Sequence, residues 1–342
     1  MAIDRADKIT SLDVARRAGV SQSAVSRVFT PGGSASQRTV EKVRKAAEEL
    51  GYRPNILARA MITGKSRIIG LVVAYLDNYF YPLAVERLSV ALQKQGYHVL
   101  VFMASNTVDD VETVMQEILD YQVDGIVLAS VSMSSLLAGR CDDQGIPVVL
   151  FNRTQPDARL ASVSSDNVAG GQQIARHLVA GGAKKIGYIA GFAGASTQID
   201  REAGFRKGLA DRGATMHMRG IGNFQHDQAR AAALEMFAGR DRPDAVFVCN
   251  DHMAFAVMDV LRGKLGLDVP GDVAVVGFDD VPIAAWAAYD LTTFRQPLDD
   301  MVARTVDTLM ERIADDAVMP RRHVLPGQLI LRQSTHKADL TC

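Results

Sequence analysis

The sequence predicts an N-terminal all-α helix-turn-helix domain followed by a larger α/β body of two Rossmann-like lobes. Three observations carry this. Between residues 11 and 50, apolar residues recur at helical spacing in three short segments. From Ile68 onward, continuous Val/Ile/Leu runs alternate with amphipathic stretches, the pattern of a parallel sheet covered on both faces by helices. Charge divides at the same place, with 13 Lys/Arg against 6 Asp/Glu up to Arg67 and 25 against 33 beyond it. A small basic head on an acidic body is a nucleic-acid footprint. At 342 residues the chain exceeds one typical core and calls for two or three domains.

In the head, Leu12 to Ala18 forms a first helix that turns Val14, Ala15 and Ala18 inward, and Gly19 closes it in the left-handed conformation that a residue without a Cβ adopts freely. Ser21 caps the second helix, Gln22 to Phe29. That helix buries Ala24, Val25 and Val28 and leaves Gln22, Ser23, Ser26 and Arg27 on its open side. Gln and Arg near a helix start can pair bidentately with adenine and guanine edges in a major groove. The spacing alone fits a helical hairpin with a solvated face equally well. Ser36 caps a third helix, Gln37 to Leu50, whose Val40, Val43, Ala47 and Leu50 complete a three-helix core. Gly51 ends it, and Tyr52-Arg53-Pro54 is extended because a residue before proline is pushed out of the helical region. Asn55 can cap a very short helix over 56–62, too short to persist alone in water.

The runs LDVARRAGVSQSAVSRVF, EELGYRPNILARAM and SRIIGLVV resemble the start of lactose-repressor/galactose-repressor (LacI-type) transcriptional regulators. The resemblance implies a hinge helix that forms on operator DNA, with Ala58 and Met61 at its minor-groove contact. Met61 stands where the family usually has Leu, and Met is apolar and flexible enough to wedge between bases. Ile62 follows where a basic residue is common, which removes one expected phosphate contact. Thr10, Ser11, Ser21, Ser36 and Asn55 are expected on phosphates, and Gln22, Ser23 and Arg27, with Ser26 beside them, on base edges. The resemblance implies a domain order of 1–53 for DNA binding, 54–67 for the hinge, and 68–342 for a periplasmic-binding-protein-like effector and dimerisation domain. Its lobes are expected at about 68–164 plus 295–322, and at about 165–294 plus 323–342.

Along the body, strands are expected at 68–76, 97–103, 124–130 and 146–152, with helices at 82–95, 108–121 and 134–144 between them. The rhythm then restarts with helices at 167–180, 198–212, 227–238 and 251–265 and strands at 184–191, 216–222, 244–250 and 273–279. The tail, LTTFRQ, a helix over 298–314 and HVLPGQLILRQS, returns strands to both halves.

Ligands of open parallel sheets sit beyond the carboxyl ends of the strands. The residues standing there are carboxylates, amides and aromatic rings, a set suited to a polyhydroxylated ligand. The family resemblance maps an effector pocket onto Asn78, Phe80, Asn152, Arg201, Phe224, Asn250, Asp279 and Gln296, with Asp166 beside them. Arg201 could hold a carboxylate, a phosphate or a vicinal diol. Asn250, Asp279 and Asp166 could instead cap the helices that follow them. NDHMAFA departs from the family's NDxMALG at Phe255 and Ala256, which changes packing and leaves the polar pair intact.

Other classes fit less well. A nicotinamide-dependent dehydrogenase would need GxGxxG after a strand, and GFAGAS has the wrong glycine spacing. No catalytic arrangement is recognisable, so no enzyme is expected. A periplasmic sugar-binding protein shares the body but not the basic head, and MAIDRADKITSLD has no apolar signal region. Cys141, Cys249 and Cys342 are widely separated, with no CxxC and no His cluster, so neither disulfide, metal nor cofactor is indicated. The expected protein is cytoplasmic, with no run of about 18 apolar residues to form a membrane segment, and a homodimer rather than a tetramer, since the tail after Arg332 lacks heptads. Its partners are a near-palindromic operator and a small effector (sugar, sugar acid, sugar phosphate or nucleoside), acting as inducer or corepressor.

Overall fold

The computed structural model describes residues 9–29, 33–53, 65–105 and 108–336, which divide at Arg67/Ile68 into two compact units. Asn55, Ala58, Met61 and the hinge helix expected over 56–62 lie outside the described residues.

The amino-terminal unit holds α1 (Ser11–Ala18), α2 (Gln22–Phe29) and α3 (Gln37–Leu50). The first begins one residue before its expected start because Thr10 and Asp13 form a capping box. Thr10 N donates to Asp13 Oδ2 at 2.9 Å, and Thr10 Oγ1 accepts from Asp13 N at 3.4 Å. Gly19 and Gly51 close α1 and α3 at φ 64. Ser21 Oγ accepts from Ala24 N at 3.2 Å and Ser36 Oγ from Thr39 N at 3.3 Å, so both serines cap as expected. The core consists of Val14, Ala15, Val25, Val43, Ala46 and Ala47, rimmed by half-buried Val28, Phe29, Leu50 and Tyr52. So few small buried side chains make a unit of modest stability.

The larger unit runs β1 (Ile68–Val73), α4 (Phe80–Lys94), β2 (His98–Met103), α5 (Val108–Asp120), β3 (Gly125–Ala129), α6 (Ser135–Asp143), β4 (Val148–Phe151) and β5 (Ala161–Ser165). It continues with α7 (Asn167–Ala180), β6 (Ile186–Ala190), α8 (Ser196–Ala210), β7 (Met216–Ile221), α9 (His226–Phe237), β8 (Ala245–Val248), α10 (Asp251–Gly263) and β9 (Ala274–Asp279). A 3₁₀ turn (Pro282–Ala285), β10 (Thr292–Arg295), α11 (Leu298–Ala314), β11 (Arg322–Leu325) and β12 (Gln328–Ile330) complete it.

The first sheet has the order β11-β5-β4-β3-β1-β2 and the second β12-β10-β9-β8-β6-β7, the same winding twice. All pairings are parallel except β10 with β12. The interior strands β1, β3, β4, β6, β8 and β9 are buried along their whole length, which is why they read as unbroken apolar runs. The edge strands β2 and β7 alternate in exposure.

Two features differ from the sequence reading. Strand β5, ASVSS, is fully buried although it is mostly serine, so no apolar run announced it. The first lobe's return, expected to end at 322, extends to Leu325 because β11 pairs with β5; β12 then joins the second sheet. In HVLPGQLILRQS both strands have similar patterns, and only pairing decides which sheet each enters.

Helices α7 and α8 meet through glycines. A Cβ on Gly204 would lie 2.1 Å from Val168 O, and one on Gly171 would lie 2.3 Å from Arg201 O. This close approach brings the Arg201 side chain onto the start of α7. Among the described residues, no helix is long and apolar enough to cross a membrane.

Candidate functional site

The carboxyl ends of the two sheets face each other across a narrow cleft lined by Tyr75, Asn78, Phe80, Tyr81, Asn152 and Arg153 from the first lobe and Thr197, Arg201, Phe224, Asn250 and Asp279 from the second. The backbone turns sharply where strands deliver these groups. Positive φ occurs at Ser130 after β3, Asn152 after β4, Asn223 and Phe224 after β7, and Asp279 and Asp280 at the end of β9. Non-glycine residues held there cost about 1–3 kcal/mol each, and such conformations concentrate at ligand sites.

Arg201 anchors the second lobe's wall. Nε donates to Asn167 Oδ1 at 2.8 Å, one Nη to Cys249 O at 2.7 Å, and the other approaches Asp279 Oδ1 at 3.6 Å. The guanidinium lies 3.6 Å from the Phe278 ring centroid, a cation–π contact. Asp279 also accepts from Gln296 Nε2 at 2.7 Å. Burial raises its carboxyl to about 6, against the pull of Arg201. Behind it, fully buried Asp251 accepts from Val281 N at 3.0 Å and lies 2.6 Å from Thr293 Oγ1, and burial together with Asp279 pushes its carboxyl up to about 8.

The first lobe contributes Arg153, which donates to Asn152 O at 3.0 Å, to Ser130 Oγ at 3.0 Å and, across the cleft, to Thr197 Oγ1 at 2.8 Å. A second crossing bond runs from Thr154 N to Ser196 Oγ at 3.0 Å. Asn152 Nδ2 donates to Tyr81 OH at 3.3 Å, and burial pushes the nearby Tyr75 hydroxyl up to about 12. Asn152 Oδ1 and Asn250 Nδ2, both buried, have no hydrogen-bond partner among the described residues. Orphaned polar atoms at a cleft wall are what a hydroxyl-rich ligand satisfies.

Of the residues expected here from sequence, Asn78, Phe80, Asn152, Arg201, Phe224, Asn250 and Asp279 are brought together. Gln296 lies one layer back, hydrogen-bonded to Asp279. Asp166 lies outside the lining and caps α7, accepting from Ala169 N at 2.9 Å. Asn250 lines the cleft and also caps α10, through Met253 N at 3.0 Å. Tyr81 and Arg153 stand at strand ends where a ligand is expected but outside the set that the family resemblance maps onto the pocket, and both line the cleft. Tyr75 and Thr197 were not expected; Thr197 sits within the first turn of a helix, where nothing in the sequence marks it.

In the amino-terminal unit, Ser21, Gln22, Ser23, Ser26 and Arg27 are exposed, together with Thr10 and Ser36, while Ser11 is half-buried. Gln22 Nε2 donates to Ser11 Oγ at 2.9 Å, linking the start of α1 to α2, and Ser21 Oγ lies 2.9 Å from Ser23 Oγ. Thr10 Oγ1 donates to Asp13 Oδ2 at 2.6 Å. The face thus carries short polar groups at a helix start with one guanidinium a turn later, arranged to donate and accept against base edges and phosphates.

Comparison with known proteins agrees with both units. The profile of bacterial regulatory proteins of the lacI family matches residues 10–55, and that of a periplasmic binding protein-like domain matches residues 175–335. The HTH-type transcriptional regulator CelR of Thermobifida fusca is 32% identical over 330 residues, 94% of this chain and 96% of the relative. A transcriptional regulator CelR–cellobiose complex superposes with a TM-score of 0.72 at 31% identity, covering 95% of this chain and 99% of the other. The lac repressor dimer bound to operator and the anti-inducer ONPF gives a TM-score of 0.87 at 26% identity, covering 97% and 100%. A helix-turn-helix unit joined to a two-lobed ligand-binding fold defines a DNA-binding transcriptional regulator. The chain belongs to the lacI family of bacterial regulatory proteins.

Proposed function

We propose that the chain is a cytoplasmic transcriptional repressor rather than an enzyme, that it binds near-palindromic operator DNA as a homodimer, and that a small hydroxylated effector in the cleft sets its operator affinity. Asn152 Oδ1 and Asn250 Nδ2, buried beside Arg201 and Asp279 and without a partner among the described residues, carry the effector half of this reading. Asn78, Asn152, Asn250, Arg201 and Asp279 hold hydroxyl and ring oxygens, and Phe80 and Phe224 pack on the carbon skeleton. Gln296 supports Asp279. Arg153, from the opposite lobe, and Thr197 belong to the same set.

On DNA, Gln22, Ser23, Ser26 and Arg27 read base edges, Thr10, Ser11, Ser21, Ser36 and Asn55 hold phosphates, and Ala58 and Met61 enter the minor groove. Related regulators solved with cellobiose, or with operator and ONPF, support both halves. A thermal-shift screen of sugars, sugar acids, sugar phosphates and nucleosides tests the reading, because a ligand bound only by the folded state raises its melting temperature. A binder is expected to change operator affinity about 5- to 150-fold in fluorescence anisotropy. Binding without any change in operator affinity rules out effector control.

A further inference from the structure

The cleft wall carries three charged side chains, Arg153, Arg201 and Asp279. Arg201 and Asp279 face each other. Arg153, 3% exposed, places its hydrogen bonds on neutral oxygens, those of Asn152, Thr197, Ser130 and Tyr75, while its charge also favours the ionised form of Asp279. A guanidinium keeps its proton in any protein environment. The wall therefore holds one buried cation more than it holds anions, an arrangement that favours a counter-charge from outside.

The acids nearby do not cancel it. Asp251 lies behind Asp279 and outside the cleft lining, its two carboxyl oxygens accepting from Thr293 Oγ1 at 2.6 Å and from Val281 N at 3.0 Å. Burial, Asp279 and Asp280 all favour its protonated form. Asp280 is taken by Arg295 at 2.6 Å and Arg332 at 2.7 Å. The half-buried Asp200, beside Arg201 in the chain, is itself driven toward its neutral form by burial and by Asp166.

We infer that the effector is an anion, a hydroxylated carbon skeleton bearing one carboxylate or phosphate group that pairs with Arg153. The inference rests on the cleft being the effector site.

Calorimetry on the full chain decides this with three sets of probes: glucose, galactose, ribose and cellobiose; gluconate, glucuronate and galacturonate; glucose 6-phosphate and ribose 5-phosphate. At least one acid or phosphate is expected to bind about tenfold or more tightly than its neutral parent, charge-assisted bonds being the stronger kind. The second and third sets separate carboxylate from phosphate. Arg153→Gln should erase the preference and Arg153→Lys restore part of it. Neutral sugars binding as tightly as their acids and phosphates would overturn the inference and leave the cleft as an effector site. A panel without a binder would overturn both. Should Arg153→Gln fail to fold, the comparison of each acid or phosphate with its neutral parent on the native chain decides alone, and equal affinities count against the inference.

Discussion

The two units put their functional groups on opposite sides of their cores. In the amino-terminal unit the polar groups of α2 stand outside a small apolar core, and the bonds of Gln22 to Ser11 and of Ser23 to Ser21 are exposed, so these groups can exchange their present partners for DNA. In the larger unit the equivalent groups are inside, buried at strand ends and held by strained backbone. A group on the outer face can be removed with little effect on folding, whereas one in the cleft supports recognition and stability together. Substitutions that separate these two effects test the contrast.

Arg201→Ala should have the largest effect. It leaves Asp279 buried without its cation and Asn167 Oδ1 without its donor, a loss of about 3–5 kcal/mol in the stability of the larger unit. Effector response should vanish while operator affinity, measured by anisotropy at a temperature where both units are folded, stays at the native value. A parallel loss of operator binding would show that the cleft residue supports the head as well.

Val25→Ala should cost about 2 kcal/mol from the lost methyl groups and the cavity left behind. Val25 is one of six buried apolar core residues among the described residues of the amino-terminal unit, so the loss is a large share of that unit's stability. The same change at Val248, deep in β8, is diluted in a much larger core. Hydrogen exchange resolved by segment should show residues 11–50 losing protection in the first variant and keeping it in the second.

The contrast also explains what could be read without coordinates. Helices of the head announce themselves through Gly19, Gly51, Ser21 and Ser36, because caps and left-handed closures have residue-specific chemistry within a few positions. Interior strands announce themselves by length of apolar run. What escaped depends on distant partners. The Thr10–Asp13 box needed the reciprocal bond, buried β5 hides behind serines, and Arg153 and Thr197 become neighbours only when two lobes meet. Asp166 shows the opposite limit: a carboxylate at a strand end is equally suited to cap the next helix, and here it caps α7.

Arg27→Ala tests the outer face at a smaller magnitude. The residue is exposed, so folding should be little affected, while a base-reading arginine is worth about 1–3 kcal/mol of discrimination. Competition between operator variants at fixed salt should reveal one relaxed base position. A uniform loss across all sequences would reassign Arg27 to a phosphate. Ser36→Ala removes the cap of α3 and should cost about 1 kcal/mol, with a further loss of DNA affinity if the serine also holds a phosphate.

Smallest is the effect of acid on the capping box. Hydrogen bonds from the Thr10 hydroxyl and N–H hold the Asp13 carboxyl below its ordinary range. A carboxyl depressed in the folded state stabilises at pH above its unfolded value, and that contribution is lost as pH falls through the folded one. The head should therefore lose part of the protection of α1 as pH falls below the ordinary aspartate value of 3.8, while the cap of α3, the neutral hydroxyl of Ser36, does not titrate there. Asp13→Asn should flatten the acid dependence of α1 in hydrogen exchange. If the slope persists in that variant, the capping box is not its source.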